Sequence, residues 1–195
     1  MESVALTIIF DIVKSNSYIL SFNGGKDCTV ILDLISKCTK LKIPCLYIKQ
    51  PDTFDEIDKF ISDTCESYNI LLYTVYNPSI KQGLSQFLKI HKFDFIFVGT
   101  RRTDPHGVNM MPIQMTDESW PGILRVHPIL DWQLKDIWAH LLKHKVSYCS
   151  LYDCGYSSLG HKSKTGKNPK LLKDSKSYFP AHFLVHDEDE RRGRK

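Results

Sequence analysis

Four short apolar runs, residues 18–20, 45–48, 70–76 and 93–98, alternate along this chain with stretches whose apolar residues recur at helical spacing. Runs of that length suit buried strands, and a period near 3.6 suits helices packed upon them. Val30, Ile31, Leu34, Ile35 and Cys38 mark a first helix; Phe54, Ile57, Ile61, Cys65 and Tyr68 a second; Ile80, Leu84, Phe87, Leu88 and His91 a third. Thr53 followed by Glu56 has the form of a capping box for the second. The alternation points to an α/β fold, a doubly wound and mostly parallel sheet with right-handed crossovers. Ligands of such sheets bind beyond the carboxyl ends of the strands, so the loops after the first and fourth strands are expected to face one cleft. From residue 99 to 124 Pro105, Pro112 and Pro121 interrupt and periodicity fades, as in a functional loop. Asp131 is then expected to cap a helix carrying Leu134, Ile137, Trp138, Leu141 and Leu142.

The loop after the first strand reads Ser21, Phe22, Asn23, Gly24, Gly25, Lys26, Asp27. A strand therefore feeds a glycine turn that opens a helix. The first amides of a helix lack internal partners and lie at the positive end of its dipole, so an anion there satisfies both. Glycines allow the tight turn and the close approach of oxygens to backbone. The spacing matches neither a Walker A loop nor Gly-x-Gly-x-x-Gly. A plain glycine turn has no need of Ser21, Lys26 and Asp27 clustered around it.

At 195 residues, with 42% apolar and 25% charged residues, the chain suits one globular domain. No apolar run approaches the roughly 20 residues that span a bilayer. Residues 1–13 contain Glu2 and Asp11 and no basic n-region, which argues against a secretory signal. Six cysteines form no Cys-x-x-Cys pair, and a reduced cytoplasmic setting fits them. The net charge of +4 is modest. Lys162, Lys164, Lys167, Lys170, Lys173 and Lys176 lack interleaved aromatic residues, so a solvated, partly mobile basic loop fits better than a nucleic-acid surface. His106, His127 and the other histidines have spacings that match no metal site.

The glycine loop resembles the pyrophosphate-cleaving loop, Ser-x-Gly-Gly-x-Asp-Ser, of the adenylylating PP-loop ATPases. Behind it come residues 99–105 (Gly-Thr-Arg-Arg-Thr-Asp-Pro), 116–121 (Thr-Asp-Glu-Ser-Trp-Pro) running on to Arg125, and 128–132 (Pro-Ile-Leu-Asp-Trp). These, with 151–160 (Leu-Tyr-Asp-Cys-Gly-Tyr-Ser-Ser-Leu-Gly) and 190–194 (Glu-Arg-Arg-Gly-Arg), look like eukaryotic FAD synthase over nearly the whole chain. The resemblance implies an adenine nucleotide alpha-hydrolase-like (PP-loop) core over residues 1–98. Flavin-binding loops and a helix would follow over 99–160, and a basic segment with an arginine-containing tail over 161–195. It also implies transfer of AMP from ATP to the phosphate of FMN, giving FAD and pyrophosphate with Mg²⁺.

On that reading, ATP meets Ser21, Phe22, Asn23, Gly24, Gly25, Lys26, Asp27, Ile48 and Gly99. Phe22 and Ile48 would offer backbone groups to adenine, and Lys26 would face the departing pyrophosphate. Asn23 and Asp27 would orient phosphates, with Asp27 as the Mg²⁺ ligand. Arg191 and Arg194 resemble tail arginines that reach ligand phosphates, completing a catalytic set with Asn23, Lys26 and Asp27. Flavin recognition needs a flat apolar slot with polar groups at its edge, and Trp120, Asp117 and Arg125 are assigned to it. Arg101, Asp104, Trp132 and Tyr156 join them; Trp132 serves either the slot or simple packing. One of Arg101 and Arg102 would contact phosphate and the other pair with Asp104.

Departures from the family pattern are a short segment before the loop, which implies a reduced amino-terminal lobe, and Asp27-Cys28 where the wider superfamily has Asp-Ser. No part of the chain looks suited to making FMN, so FMN is expected from another enzyme. A phosphoadenylyl-sulfate reductase would need a nucleophilic cysteine on its tail, whereas the last cysteine is Cys154. A tRNA-modifying relative would want paired cysteines, and a flavin nucleotide carrier would keep the fold without turnover. The expected partners are small molecules, with neither membrane nor nucleic acid, and the expected state is a monomer.

Overall fold

The computed structural model describes residues 1–14 and 17–195. A six-stranded sheet of order β3-β2-β1-β4-β6-β5 forms the frame. Its strands are β1 (Tyr18–Ser21), β2 (Ile43–Lys49), β3 (Ile70–Tyr76), β4 (Phe95–Phe97), β5 (Ile113–Met115) and β6 (Leu124–Val126). All neighbours are parallel except β5 and β6, where Gln114 lies opposite Arg125 in an antiparallel pair. The helices are α1 (Glu2–Val13), α2 (Lys26–Cys38), α3 (Asp55–Ser67), α4 (Ile80–Leu88) and α5 (Leu134–Lys143).

Successive side chains of a strand point to opposite faces. Tyr18 and Leu20 accordingly enter a large core with α1, α2, α3 and α5, while Ile19 enters a smaller one with Leu46, Leu84, Phe87 and Ile96. Burial on both faces is why β1 and most of β2 read as continuous apolar runs rather than alternating ones, whereas β3, at the edge of the sheet, buries no residue fully and leaves Leu71 and Tyr76 exposed. The chain winds from β1 outward to β3, then returns to place β4 on the other side of β1. The loops after β1 and β4 thus diverge at the strand-order reversal and leave a crevice between them.

Several local expectations change. Residues 2–13 form α1, which buries Ala5, Ile9, Ile12 and Val13 against the large core. The supposed structureless loop 99–124 contains β5 and ends at β6, strands of three residues each and too short to leave a periodic signal. The Thr53–Glu56 capping box does not form: α3 starts after Phe54 without a side-chain cap, and the Thr53 hydroxyl donates to the Gln50 carbonyl at 2.9 Å. Asp131 does not cap α5. Tight turns through Ile129 and Trp132 delay the helix, and Gln133 and Asp136 cap it reciprocally. The basic stretch is pinned rather than loose, with Asn168 fully buried and donating to Ser157 Oγ and the Asp189 carbonyl, both at 2.7 Å.

Truncating fully buried Ile9 to alanine should destabilise the protein by about 2–5 kcal/mol in urea unfolding. A shift under about 1 kcal/mol would mean α1 is not part of the cooperative unit.

Candidate active site

The chain leaves β1 at Ser21 and turns through Gly24, whose φ of +74° disfavours any side chain and where a Cβ would come within 3.1 Å of Ile57 and 3.3 Å of Ile61. Gly25 is the N-cap of α2. Its amide donates to Asn23 Oδ1 at 3.0 Å, and the Lys26 amide donates to the Tyr152 hydroxyl at 3.1 Å. Asn23 Oδ1 also accepts from the Cys28 thiol at 3.1 Å. The head of α2 is therefore a set of donors held by neutral acceptors that an anion outcompetes. At the end of β4, Gly99 lies so close that a Cβ there would sit 3.0 Å from the Cys28 amide nitrogen and from Asp27 Cβ. A side chain there would push the two loops apart by a few tenths of an ångström.

Beneath the loops lies an ion-pair cluster. Lys26 Nζ contacts Asp27 Oδ2 at 2.8 Å and also the carboxylate of Glu190. Arg101 Nε faces Asp27 Oδ1 at 3.0 Å, its Nη1 meets Asp187 Oδ1 at 2.9 Å, and its Nη2 meets Glu190. Asp104 Oδ2 accepts from the Arg101 amide at 2.9 Å. Lys26 and Arg101 are essentially inaccessible, at 2% and 0% exposure. Burial opposes the charge of Lys26, but Asp27 and Glu190 overcome it and hold its pKa above the usual lysine range. Burial likewise opposes the charge of Asp27, and Lys26 and Arg101 keep it ionised. Burial raises the pKa of Asp104, which lies further from the cations. Burial pushes the Cys28 thiol up to about 12, so it is no nucleophile at neutral pH.

An open cleft of about 430 Å³ lies above this cluster. Ser21, Asn23, Gly25, Lys26, Asp27, Gly99, Asp104 and Arg191 all line it. A neighbouring recess holds Ile48 and Gly160 beside Asn23 and Gly25, and Arg194 lays its guanidinium on Gly160. Among the described residues no carboxylate pairs with Arg194, whose pKa is lowered by burial and by the charge of Arg191. Arg191 Nη1 is 3.7 Å from Asp104 Oδ1 with nearly half its side chain exposed.

Other assignments move. Arg101 faces carboxylates on every side and cannot read a flavin. Arg102 is not a phosphate contact either: it meets Asp131 and donates to the Val108 and Met110 carbonyls at 3.1 and 2.9 Å, bracing that loop. Lys26 is enclosed by carboxylates rather than aimed at a leaving group. The Phe22 ring is fully buried and its amide donates to the Leu46 carbonyl at 2.9 Å, so that amide is not offered to adenine. Trp132 is buried near α1 and His140, bordering cavities apart from the cleft. Tyr156 packs edge-on against Phe54, with ring centroids 5.4 Å apart. Trp120, Asp117 and Arg125 form a separate group, with Arg125 Nη2 3.4 Å from Asp117 Oδ1 and Trp120 packed on the smaller core together with Val98. Val98 also lines the cleft and links the two.

Sequence reasoning missed the parts played by Glu190 and Asp187 and the bond of the Tyr152 hydroxyl to the glycine loop; His106, whose spacing matches no metal site, also lines the cleft. The acidic run directly before the arginine tail was the available signal. Replacing Glu190 with glutamine should cost about 3–5 kcal/mol, because it leaves buried Lys26 and Arg101 short of a counter-charge. Urea unfolding measures the loss; an unchanged midpoint would show that Asp27 and Asp187 suffice.

The phosphoadenosine phosphosulfate reductase domain family matches residues 17–83 and 81–167. A probable FAD synthase of Schizosaccharomyces pombe is 37% identical, over 98% of this chain and 78% of that protein. A probable FAD synthase of Caenorhabditis briggsae is 40% identical over 96% of this chain, which spans only 38% of that longer protein. In three dimensions the chain is similar to Candida glabrata FMN adenylyltransferase in complex with FMN and the ATP analogue AMPCPP, with a TM-score of 0.92, 28% identity, and 99% and 88% of the two chains covered. With that sheet order and that glycine loop beside it, the chain belongs to the FAD synthase family, within the wider phosphoadenosine phosphosulfate reductase domain family.

Proposed function

We infer that this chain is an FMN adenylyltransferase, which transfers AMP from ATP to the phosphate of FMN and releases pyrophosphate and FAD. The observation that carries this reading is the head of α2, where the Gly25 and Lys26 amides and the Asp27 carboxylate share one cleft with Arg191. A phosphate oxygen of FMN attacks the α-phosphorus, the bond to the bridging oxygen breaks, and that oxygen leaves with the β- and γ-phosphates. Alignment and charge neutralisation carry such a transfer. The leaving pyrophosphate displaces Asn23 Oδ1 and the Tyr152 hydroxyl from the loop amides and takes their hydrogen bonds. Arg191 and Arg194 approach the phosphates from the tail. Lys26 and Arg101 act from below, fixing Asp27 and adding positive potential.

The residues fit a Mg²⁺ ion. Four carboxylates, from Asp27, Asp104, Asp187 and Glu190, meet the buried cations Lys26 and Arg101, and Asp27 Oδ1 is buried without an aligned hydrogen-bond donor. Asp27 would hold the ion together with phosphate oxygens, and the ion would neutralise charge on the reacting triphosphate. No covalent enzyme intermediate is needed, since the FMN phosphate is itself the nucleophile. The flavin ring lies toward Trp120, with Asp117 accepting from a ring N–H and Arg125 donating to a ring oxygen. Trp120 packs on the same small core as Val98, which lines the cleft, and that supports the direction. We also read the protein as a cytoplasmic monomer acting on small molecules without membrane or nucleic-acid partners; its six free thiols fit that setting. Among the described residues, no helix is long and apolar enough to cross a membrane.

Purified protein with ATP, Mg²⁺ and FMN should yield FAD and pyrophosphate, and Asp27→Ala should lower turnover about 100-fold or more with the circular dichroism unchanged. FMN binding without pyrophosphate release would make the protein a carrier, and near-normal turnover of the variant would remove Asp27 from the mechanism. In a separate fluorescence titration, Asp117→Ala should raise the FMN dissociation constant about tenfold. Unchanged affinity would move the flavin slot elsewhere.

A further inference from the structure

Away from the cleft, α1 and α5 bring Glu2, His140 and His144 together, one candidate ligand atom from each lying within 4.8 Å of the others. His140 and His144 are four residues apart, on α5 and at its C-cap, so both imidazoles rise on one side of the helix. Glu2 Oε2 lies 3.4 Å from His144 Nε2 and 3.8 Å from His140 Nδ1. Tetrahedral zinc with ligands at about 2.0–2.1 Å places neighbouring ligand atoms about 3.4 Å apart, so the two Glu2 separations need little closing, and the two imidazole nitrogens start within 4.8 Å of each other.

His140 supplies the decisive detail. Its side chain is only 2% exposed, its Nε2 bonds to Asp33 Oδ2 at 2.8 Å, and its Nδ1 is buried without a hydrogen-bond partner and faces Glu2. Asp33 is itself fixed, by Lys37 Nζ at 2.9 Å and the Tyr68 hydroxyl at 3.2 Å. A carboxylate on one ring nitrogen sets the proton there and presents the other lone pair outward, as in metal sites where a second carboxylate orients the ligating histidine. Lys37 also approaches Glu2, but at Oε1, at 3.4 Å, leaving Oε2 to the histidines. A cavity of about 200 Å³ bordered by Glu2, Asp136 and His140 gives the fourth position access to water.

We propose that Glu2, His140 Nδ1 and His144 Nε2 form a binding site for a divalent zinc ion that clips α1 to α5. Two imidazoles and a carboxylate are a donor set suited to zinc. The sequence spacing hid it because only two ligands share a helix; the third arrives from the first turn of α1.

The test uses the full chain free of nucleotide, in a Cys154→Ser background that removes the exposed thiol. Zinc titration with a chromophoric competitor should show one equivalent bound, with a raised thermal midpoint that a chelator reverses. Cobalt(II) should give the visible bands of a tetrahedral site without near-ultraviolet thiolate bands. His144→Gln and Glu2→Gln, both at partly exposed side chains, should each weaken zinc binding about tenfold or more while FAD formation is unchanged. Equal zinc affinity in the parent and both variants, or cobalt bands of thiolate character, would overturn the site. So would an absence of zinc binding by the folded parent, which would leave His140 as a hydrogen-bonded core histidine.

Discussion

Glu190 reaches inward from the penultimate turn of the chain and meets two cations, Lys26 at the head of α2 and Arg101 beyond β4. Neither cation is exposed to water, so each would be prohibitively costly without a carboxylate beside it. Such an arrangement adds little net stability compared with apolar packing, because desolvating the charges offsets most of their attraction. What it supplies is placement. Glu190 touches both cations and so joins the glycine loop, the loop after β4 and the tail, Asp187 adds a second tail contact to Arg101, and Asp27 is set between Lys26 and Arg101.

That constraint explains how the site handles charge. Lys26, an obvious phosphate ligand in a linear reading, is paired with Asp27 and Glu190, and on the proposed reading it acts through its field. On the proposed reading the direct anion donors are the backbone amides at the head of α2, which Asn23 and Tyr152 occupy, together with the two tail arginines. Arg191 is partly exposed and Arg194 has no acidic partner among the described residues, so both have capacity left for ligand oxygens. A cleft with paired carboxylates on one side and cations short of acidic partners on the other suits a substrate that brings both a metal ion and a triphosphate.

The fold was largely legible because strands buried on both faces leave unbroken apolar runs. Tyr18, Ile19 and Leu20 are all buried although they point to opposite cores. Strands of three residues carry no such signal, and β5 and β6 went unseen inside the long loop. Caps were misread for a related reason: Thr53 and Asp131 have the right side chains, yet local turns give them other partners and the helices begin later. Of the candidate site, Ser21, Asn23, Gly25, Lys26 and Asp27 of the glycine loop gather at the cleft with Gly99, Asp104 and Arg191. Arg101, Trp132 and Tyr156 do not face it, because a residue type suited to a ligand is equally suited to a buried ion pair or an aromatic packing contact.

By itself the sequence determined the alternation of strand and helix, the anion-binding turn between the first pair, and the family whose ordered motifs it carries. Each of these rests on near neighbours in the chain, where backbone conformation and hydrophobic period act directly. Only the tertiary structure decided which charged groups are bound to one another and which remain free. Lys26 and Glu190 are separated by most of the chain, as are Glu2 and His140, and ionic partnership depends on distance and dielectric surroundings that exist only after the sheet has brought distant segments together.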